Sequence, residues 1–155
     1  MNPNRVPEWV RDLAYEHGDS NPVFIMTKSI TSSDLNHQQQ NRLLIPFKYA
    51  ANLIAMLSER EKDAASLLQP TARRNAPSTS RAQGGLEVDV YPQNWIISHL
   101  LLTRWDASGS IVFKGKEYPW LLHCSTLQAE DEVELWGFRK GEERKLCFAL
   151  VRNAH

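Results

Sequence analysis

Mainly β, curling into a small barrel with few helices, is the fold class this sequence predicts, and three observations predict it. From Gly85 onward, short strand patterns follow one another, separated by turn signals. Helical periodicity is confined to a few short segments before that point and one after it. The last strand pattern, Leu146-Cys147-Phe148-Ala149-Leu150-Val151, is apolar at every position, as in a strand covered on both sides.

The totals are consistent with this. A chain of 155 residues holds one domain with room for a core. No apolar run approaches membrane-spanning length, and no secretory signal opens the sequence. Cys124 and Cys147 form neither a disulfide framework nor a zinc pattern and read as reduced thiols of an intracellular protein. The 18 basic and 18 acidic residues cancel, which argues against a nonspecific nucleic-acid binder. A specific binder can still be neutral if its charges are segregated.

Taken in order, residues 1–20 form a leader with a short helix. Pro7 starts it, Trp9, Val10, Leu13 and Ala14 share a face, and Gly18-Asp19 ends it. Residues 21–155 form the domain proper. Its first strand is centred on Val23–Met26. Ser33-Asp34 can cap a short helical turn. Leu43–Phe47 is apolar and reads as a second strand, which Pro46 places at an edge or bends. Tyr49–Leu68 is helical, as two short helices or one bent one, because Ser58 and Glu61 make a second start signal. The run Glu59–Asp63 reads as a solvated face. Residues 69–85 are rich in Pro, Gly, Ser and Thr and read as a mobile insert carrying Arg73, Arg74 and Arg81.

Leu86, Val88 and Val90 alternate with polar neighbours as a half-buried strand. His99–Trp105 and Ser110–Lys114 are strands joined by the turn Asp106-Ala107-Ser108-Gly109. Tyr118–Ser125 fits one short helix, with Pro119 tolerated in its first turn. Val133–Arg139 and Lys145–Arg152 flank a hairpin turn.

Between the first two strands, Ser32–Arg42 consists almost entirely of hydrogen-bonding side chains. A polar arm held between two apolar strands presents groups suited to base edges and phosphates, the alternative being a solvated loop.

Several motifs in sequence order resemble the plant B3 DNA-binding domain. Ser33-Asp34-Leu35 followed by Asn41-Arg42-Leu43-Leu44-Ile45-Pro46 resembles its first arm and second strand. Arg104-Trp105-Asp106-Ala107-Ser108-Gly109-Ser110 resembles its second arm. Leu135-Trp136-Gly137-Phe138-Arg139 and Leu146–Val151 resemble the closing strands of a plant-specific B3-like branch once catalogued as a domain of unknown function. The likeness covers residues 23–153, apart from the insert. It implies an open seven-stranded β-barrel with short flanking helices, whose arms, here 28–48 and 104–116, project on one side and straddle a DNA major groove. The chain departs from the family in a slightly longer first arm. Gly115-Lys116 also stands where Gly-Trp is usual, with Trp120 as the candidate to fill the space.

Under that resemblance the candidate DNA-binding residues are Lys28, Ser32, Ser33, Asn36, His37, Gln38, Gln39, Gln40, Arg42 and Lys48 on the first arm. On the second they are Arg104, Trp105, Asp106, Ser108, Ser110 and Lys114. Arg42 suits guanine or phosphate, and Asn and Gln suit adenine. Their alternatives are a rim ion pair for Arg42, core packing for Trp105 and turn formation for Asp106. Each arm carries an excess of two positive charges when Asp34 and Asp106 are counted. The acidic stretch Glu130–Glu134 is expected to face away from DNA.

Catalytic signatures are missing: the histidines lack ligand spacing, and no nucleophile elbow or phosphate-cradling glycine loop occurs. With no catalytic signature against it, the B3 resemblance implies a nuclear transcription regulator that is not an enzyme, has no metal or cofactor, and partners double-stranded DNA and, as a further possibility, proteins of a transcription complex, not a membrane. Its rival is a protein-interaction barrel with weak or no DNA binding.

Overall fold

The computed structural model describes residues 5–35, 42–67, 85–105 and 110–153, and the backbone alone of Trp105. Seven strands form one sheet: β1 (Val23–Ser29), β2 (Arg42–Ile45), β3 (Leu86–Tyr91), β4 (Ser98–Trp105), β5 (Ser110–Lys114), β6 (Glu132–Lys140) and β7 (Lys145–Asn153). Their order is β1-β6-β7-β3-β4-β5-β2, and the sheet curls into a nearly closed barrel. The β3–β7 pair is parallel and the others are antiparallel. β2 stops at Ile45, before Pro46, which has no amide hydrogen to donate.

The free edges, β1 and β2, are joined by side chains. Lys28 Nζ donates to the Leu44 carbonyl at 2.9 Å, and Asn52 Nδ2 donates to the Ile25 carbonyl at 3.0 Å. Asn52 lies on α3 (Ala50–Ile54), so this short helix covers the seam. Each bond satisfies an edge carbonyl that a closed barrel would have paired with a strand.

β7 shows why its sequence is apolar throughout. Leu146, Phe148 and Leu150 point into the barrel, where Phe148 meets Phe113 edge to face at 5.0 Å. Cys147, Ala149 and Val151 point outward and are covered by α1 (Glu8–Glu16). Val10, Leu13 and Ala14 of that helix are fully buried against Trp136 and Phe138. At roughly 1.5–3 kcal/mol per buried large apolar side chain, α1 is a structural cover for the sheet. Its end is tied down as well: the Gly141 amide donates to the His17 carbonyl, and the Arg139 amide to Asp19 Oδ2 at 2.8 Å.

The helical segment after β2 is divided as its sequence predicted. A 3-10 turn (Phe47–Tyr49) leads into α3, and α4 (Glu59–Ala64) begins at a full capping box between Ser58 and Glu61. The solvated-face reading fails for Glu61, whose carboxylate takes Arg139 bidentately at 2.6 and 2.9 Å. Burial would raise the Glu61 pKa, but the bonds from Arg139 and Ser58 outweigh it and hold the carboxyl below its ordinary value. The same guanidinium donates to the Met56 carbonyl, which locks α3 and α4 onto β6. The last helix, α5, spans Tyr118–Ser125. Trp120 does not fill the interior. It is 47% exposed and stacks on His123, while Tyr118 is the fully buried aromatic.

Residues 69–84 of the expected insert lie outside the described residues. No helix among the described residues is long and apolar enough to cross a membrane.

Candidate nucleic-acid interface

The first arm leaves β1 through a set of mutually satisfied contacts. The Thr31 amide donates to Asp34 Oδ2 at 2.9 Å, and the Asp34 amide donates to Thr31 Oγ1 at 3.2 Å. This reciprocal pair closes the start of α2 (Ser32–Leu35). Asp34 is buried and ion-paired to Lys28 at 3.0 Å, and the Tyr118 hydroxyl donates to the Asp34 carbonyl at 2.6 Å. Burial pushes the Tyr118 phenol well above its ordinary range. Asp34 adds to that shift, and the nearby Arg42 opposes it.

One expectation is corrected by these contacts. The Lys28 side chain is only 9% exposed, and its ammonium is committed to Asp34 and Leu44. It fixes the base of the arm and does not face solvent. Ser32 and Ser33, by contrast, are exposed on the same turn.

The second arm is carried by the β4–β5 hairpin, and β5 pairs with β2. In register, Arg42 stands opposite Lys114, and Ser110 stands opposite Trp105. The first arm therefore returns at the Lys114 end of β5 and the second springs from its Ser110 end. The arms bracket one edge ladder rather than rising together from one end of it. Lys114 and Ser110 are four residues apart, about 14 Å at ~3.4 Å per residue. Arg42 and Lys114 lie on the outer face of the sheet, since their neighbours Leu43 and Phe113 point into the core. Lys114 is exposed, as is Lys48, whose ammonium lies 5.2 Å from the Tyr49 ring centre.

Arg104 departs from this group. It pairs with Ile111, which pairs with Ile45, and both are core residues, so Arg104 shares the inner face at the barrel mouth. Its backbone amide donates to the Ala65 carbonyl at 2.9 Å. Its Nε is buried with no hydrogen-bond partner among the described residues.

The acidic stretch does not lie away from the arms. Ser29 pairs with Glu132, the Ile30 amide donates to the Asp131 carbonyl, and the Glu130 amide donates back to Ile30. Glu130 and Glu132 are exposed beside the root of the first arm on its β1 side, whereas Arg42 and Lys114 lie at the β2 edge. Charge is thus segregated across the arm: acid where it leaves the barrel, base where it returns. Asn36, His37, Gln38, Gln39, Gln40, Asp106 and Ser108 lie outside the described residues, as does the Trp105 side chain.

A second buried carboxylate lies on the outer face of β3. Asp89 accepts from Lys140 at 2.6 Å, His99 at 2.7 Å and Lys145 at 3.0 Å. Burial raises its pKa, but the bonds from Lys140, Lys145 and His99 prevail and hold it below the ordinary aspartate value. Among the described residues no cluster of His, Cys, Asp or Glu is arranged to hold a metal ion.

Sequence reasoning missed the Lys28–Asp34–Tyr118 base of the arm. The local signal was present in Thr31 and Asp34 at capping spacing, but the partner Tyr118 lies 84 residues away.

The described geometry agrees with three comparisons. The family model of the B3 domain-containing protein At2g31720-like group matches residues 2–154. The B3 domain-containing protein At1g32030 of Arabidopsis thaliana is 25% identical over 150 residues, which are 94% of this chain and 42% of that protein. The chain thus spans about two fifths of that relative's length. The protein in the Arabidopsis FUS3–DNA complex superposes with a TM-score of 0.50 at 15% identity, covering 85% of this chain and 99% of that one, a likeness of fold.

Proposed function

Because the chain belongs to the At2g31720-like family of B3 domain-containing proteins, we propose that it binds double-stranded DNA sequence-specifically through both arms, acting in transcription regulation in the nucleus without catalysis. One observation carries this reading. The two arms bracket an edge ladder whose outer face presents Arg42 and Lys114 side by side. The roughly 14 Å between the arm roots matches a major groove about 12 Å wide. Arg42 and Lys114 take phosphates or guanine, and Ser32, Ser33, Lys48 and Ser110 contact the backbone. Asn36, His37 and Gln38–Gln40, together with Trp105, Asp106 and Ser108, supply the readers at the tips. Lys28 contributes by holding the first arm in place. Glu130 and Glu132 repel phosphate and favour approach from the β2 edge.

The test is a selection of random duplexes by the purified chain, followed by salt titration of the selected sequence. Each phosphate-neutralising cation contributes about 0.9 to the slope of log K against log salt. Arg42→Ala with Lys114→Ala should lower that slope by nearly two and weaken binding at least tenfold, at roughly 1–3 kcal/mol per guanine contact or less for a phosphate. Equal retention of scrambled and selected duplexes, or a double variant that binds as well as the parent, would count decisively against this reading.

A further inference from the structure

At Asp34, where the first arm leaves the barrel, every polar group is held. The amide donates to Thr31 Oγ1, the carboxylate takes Lys28 and the Thr31 amide, and the carbonyl takes the Tyr118 hydroxyl at 2.6 Å. The partners Thr31 and Lys28 belong to the root of the arm itself, whereas Tyr118 reaches it from α5, 84 residues downstream. A helix as short as α2 leaves its last carbonyls without intrahelical partners, and Asp34 is only 1% exposed, so bulk water does not replace the phenol there.

Tyr118 is fully buried, and its ring belongs to the barrel core, where a phenylalanine ring would occupy the same space. The hydroxyl is the part of the side chain that packing does not require. Its backbone also ties it to the other end of the arm. The Tyr118 amide donates to the Gly115 carbonyl at 3.1 Å, and Gly115 follows Lys114, which stands opposite Arg42. One short path, through Tyr118 and the end of β5, therefore joins the residue where the arm leaves to the residue where it returns.

We infer that Tyr118 is a positioning residue for base reading: its hydroxyl, enclosed in the barrel, sets the spacing between the two ends of the first arm. The inference rests on the DNA-binding reading above and gives α5 a part in it. The two kinds of DNA contact respond differently to a loosened arm. Attraction between a cation and a phosphate acts over several ångströms and tolerates displacement. Hydrogen bonds to base edges weaken steeply with distance and angle, so they need the arm held in place. Without the hydroxyl, the Asp34 carbonyl is buried and unsatisfied, and the arm relieves this by moving its exit toward water.

The experiment measures binding of the full chain, Tyr118→Phe and Arg42→Ala to the duplex selected by the parent and to a scrambled one, under conditions where all three are folded. Tyr118→Phe should weaken binding of the selected duplex about tenfold, as for one lost buried hydrogen bond. It should leave the scrambled duplex and the salt slope unchanged, whereas Arg42→Ala lowers that slope by about 0.9. A hydroxyl that serves stability alone would move the urea midpoint and neither affinity. A second measurement needs no variant. Coupling is reciprocal, so exchange of the Tyr118 hydroxyl proton, followed on ζ-13C-labelled tyrosine, should slow about tenfold with the selected duplex and not with the scrambled one. The inference alone is overturned if the parent discriminates between the duplexes and Tyr118→Phe does so equally well, or if hydroxyl exchange responds alike to both. A parent that does not discriminate overturns it together with the DNA-binding reading.

Discussion

The bases of the two arms are built on opposite principles. At the first, the two buried charges face each other: Lys28 is paired with Asp34 and the Leu44 carbonyl, and Asp34 also takes the Thr31 amide. At the second, Arg104 buries an Nε that has no hydrogen-bond partner among the described residues. A saturated cluster fixes the position of what it carries. Two basic residues that look alike in sequence, Lys28 and Arg104, thus differ in kind, and neither joins Arg42 and Lys114 on the outer face.

The sharpest way to break this contrast is to remove the buried acid. Asp34→Ala leaves Lys28 charged and unpaired at 9% exposure, and loss of one partner of a buried pair costs about 3–5 kcal/mol. Urea unfolding should show the midpoint falling by that equivalent, and duplex binding should weaken even where the fold persists, because the arm loses its anchor. A loss under about 1 kcal/mol would place the pair among ordinary surface ion pairs and remove its positioning role.

What the sequence disclosed follows the same division. Strand positions were legible because apolar alternation is local: Leu86–Tyr91 and Ser110–Lys114 lie where their patterns placed them. The covering of β7 was legible from its unbroken apolar run, although that α1 supplies the cover was not. Side-chain direction in the site was harder to read. Lys28 and Arg104 belong to strands whose inward face ends in a charge, and period-two alternation does not say whether that charge is satisfied. The acidic run beside Ile30 was misplaced because the β1–β6 pairing joins segments about a hundred residues apart. The tips were read from residue type alone.

Asp89 extends the saturated class to the far side of the sheet and makes it visible in acid. Its pKa is held low in the folded chain, so its contribution is fully present above the unfolded value of about 3.9 and is lost as pH falls through the folded value. Urea midpoints measured from pH 6 down to 2.5 should therefore fall in the acid limb. Asp89→Asn should lower the pH 6 midpoint and flatten that limb. A parallel decline in both proteins would show that other carboxylates carry the acid sensitivity.

The smallest expected change bears most directly on the second arm. Arg104→Met keeps an unbranched stem at the barrel mouth and removes a buried donor that has no hydrogen-bond partner among the described residues. An unsatisfied buried polar group costs about 1–3 kcal/mol, while the lost stem contacts are largely replaced by the thioether. The two terms nearly cancel, so the urea midpoint should stay where it is or rise slightly, with an unchanged m-value. Arg104 would then be a residue the fold tolerates, not one it uses, in contrast to the several kcal/mol expected at Asp34. If Arg104→Met instead cost as much as Asp34→Ala, the guanidinium would be holding the mouth together, and both bases would be scaffold of one kind.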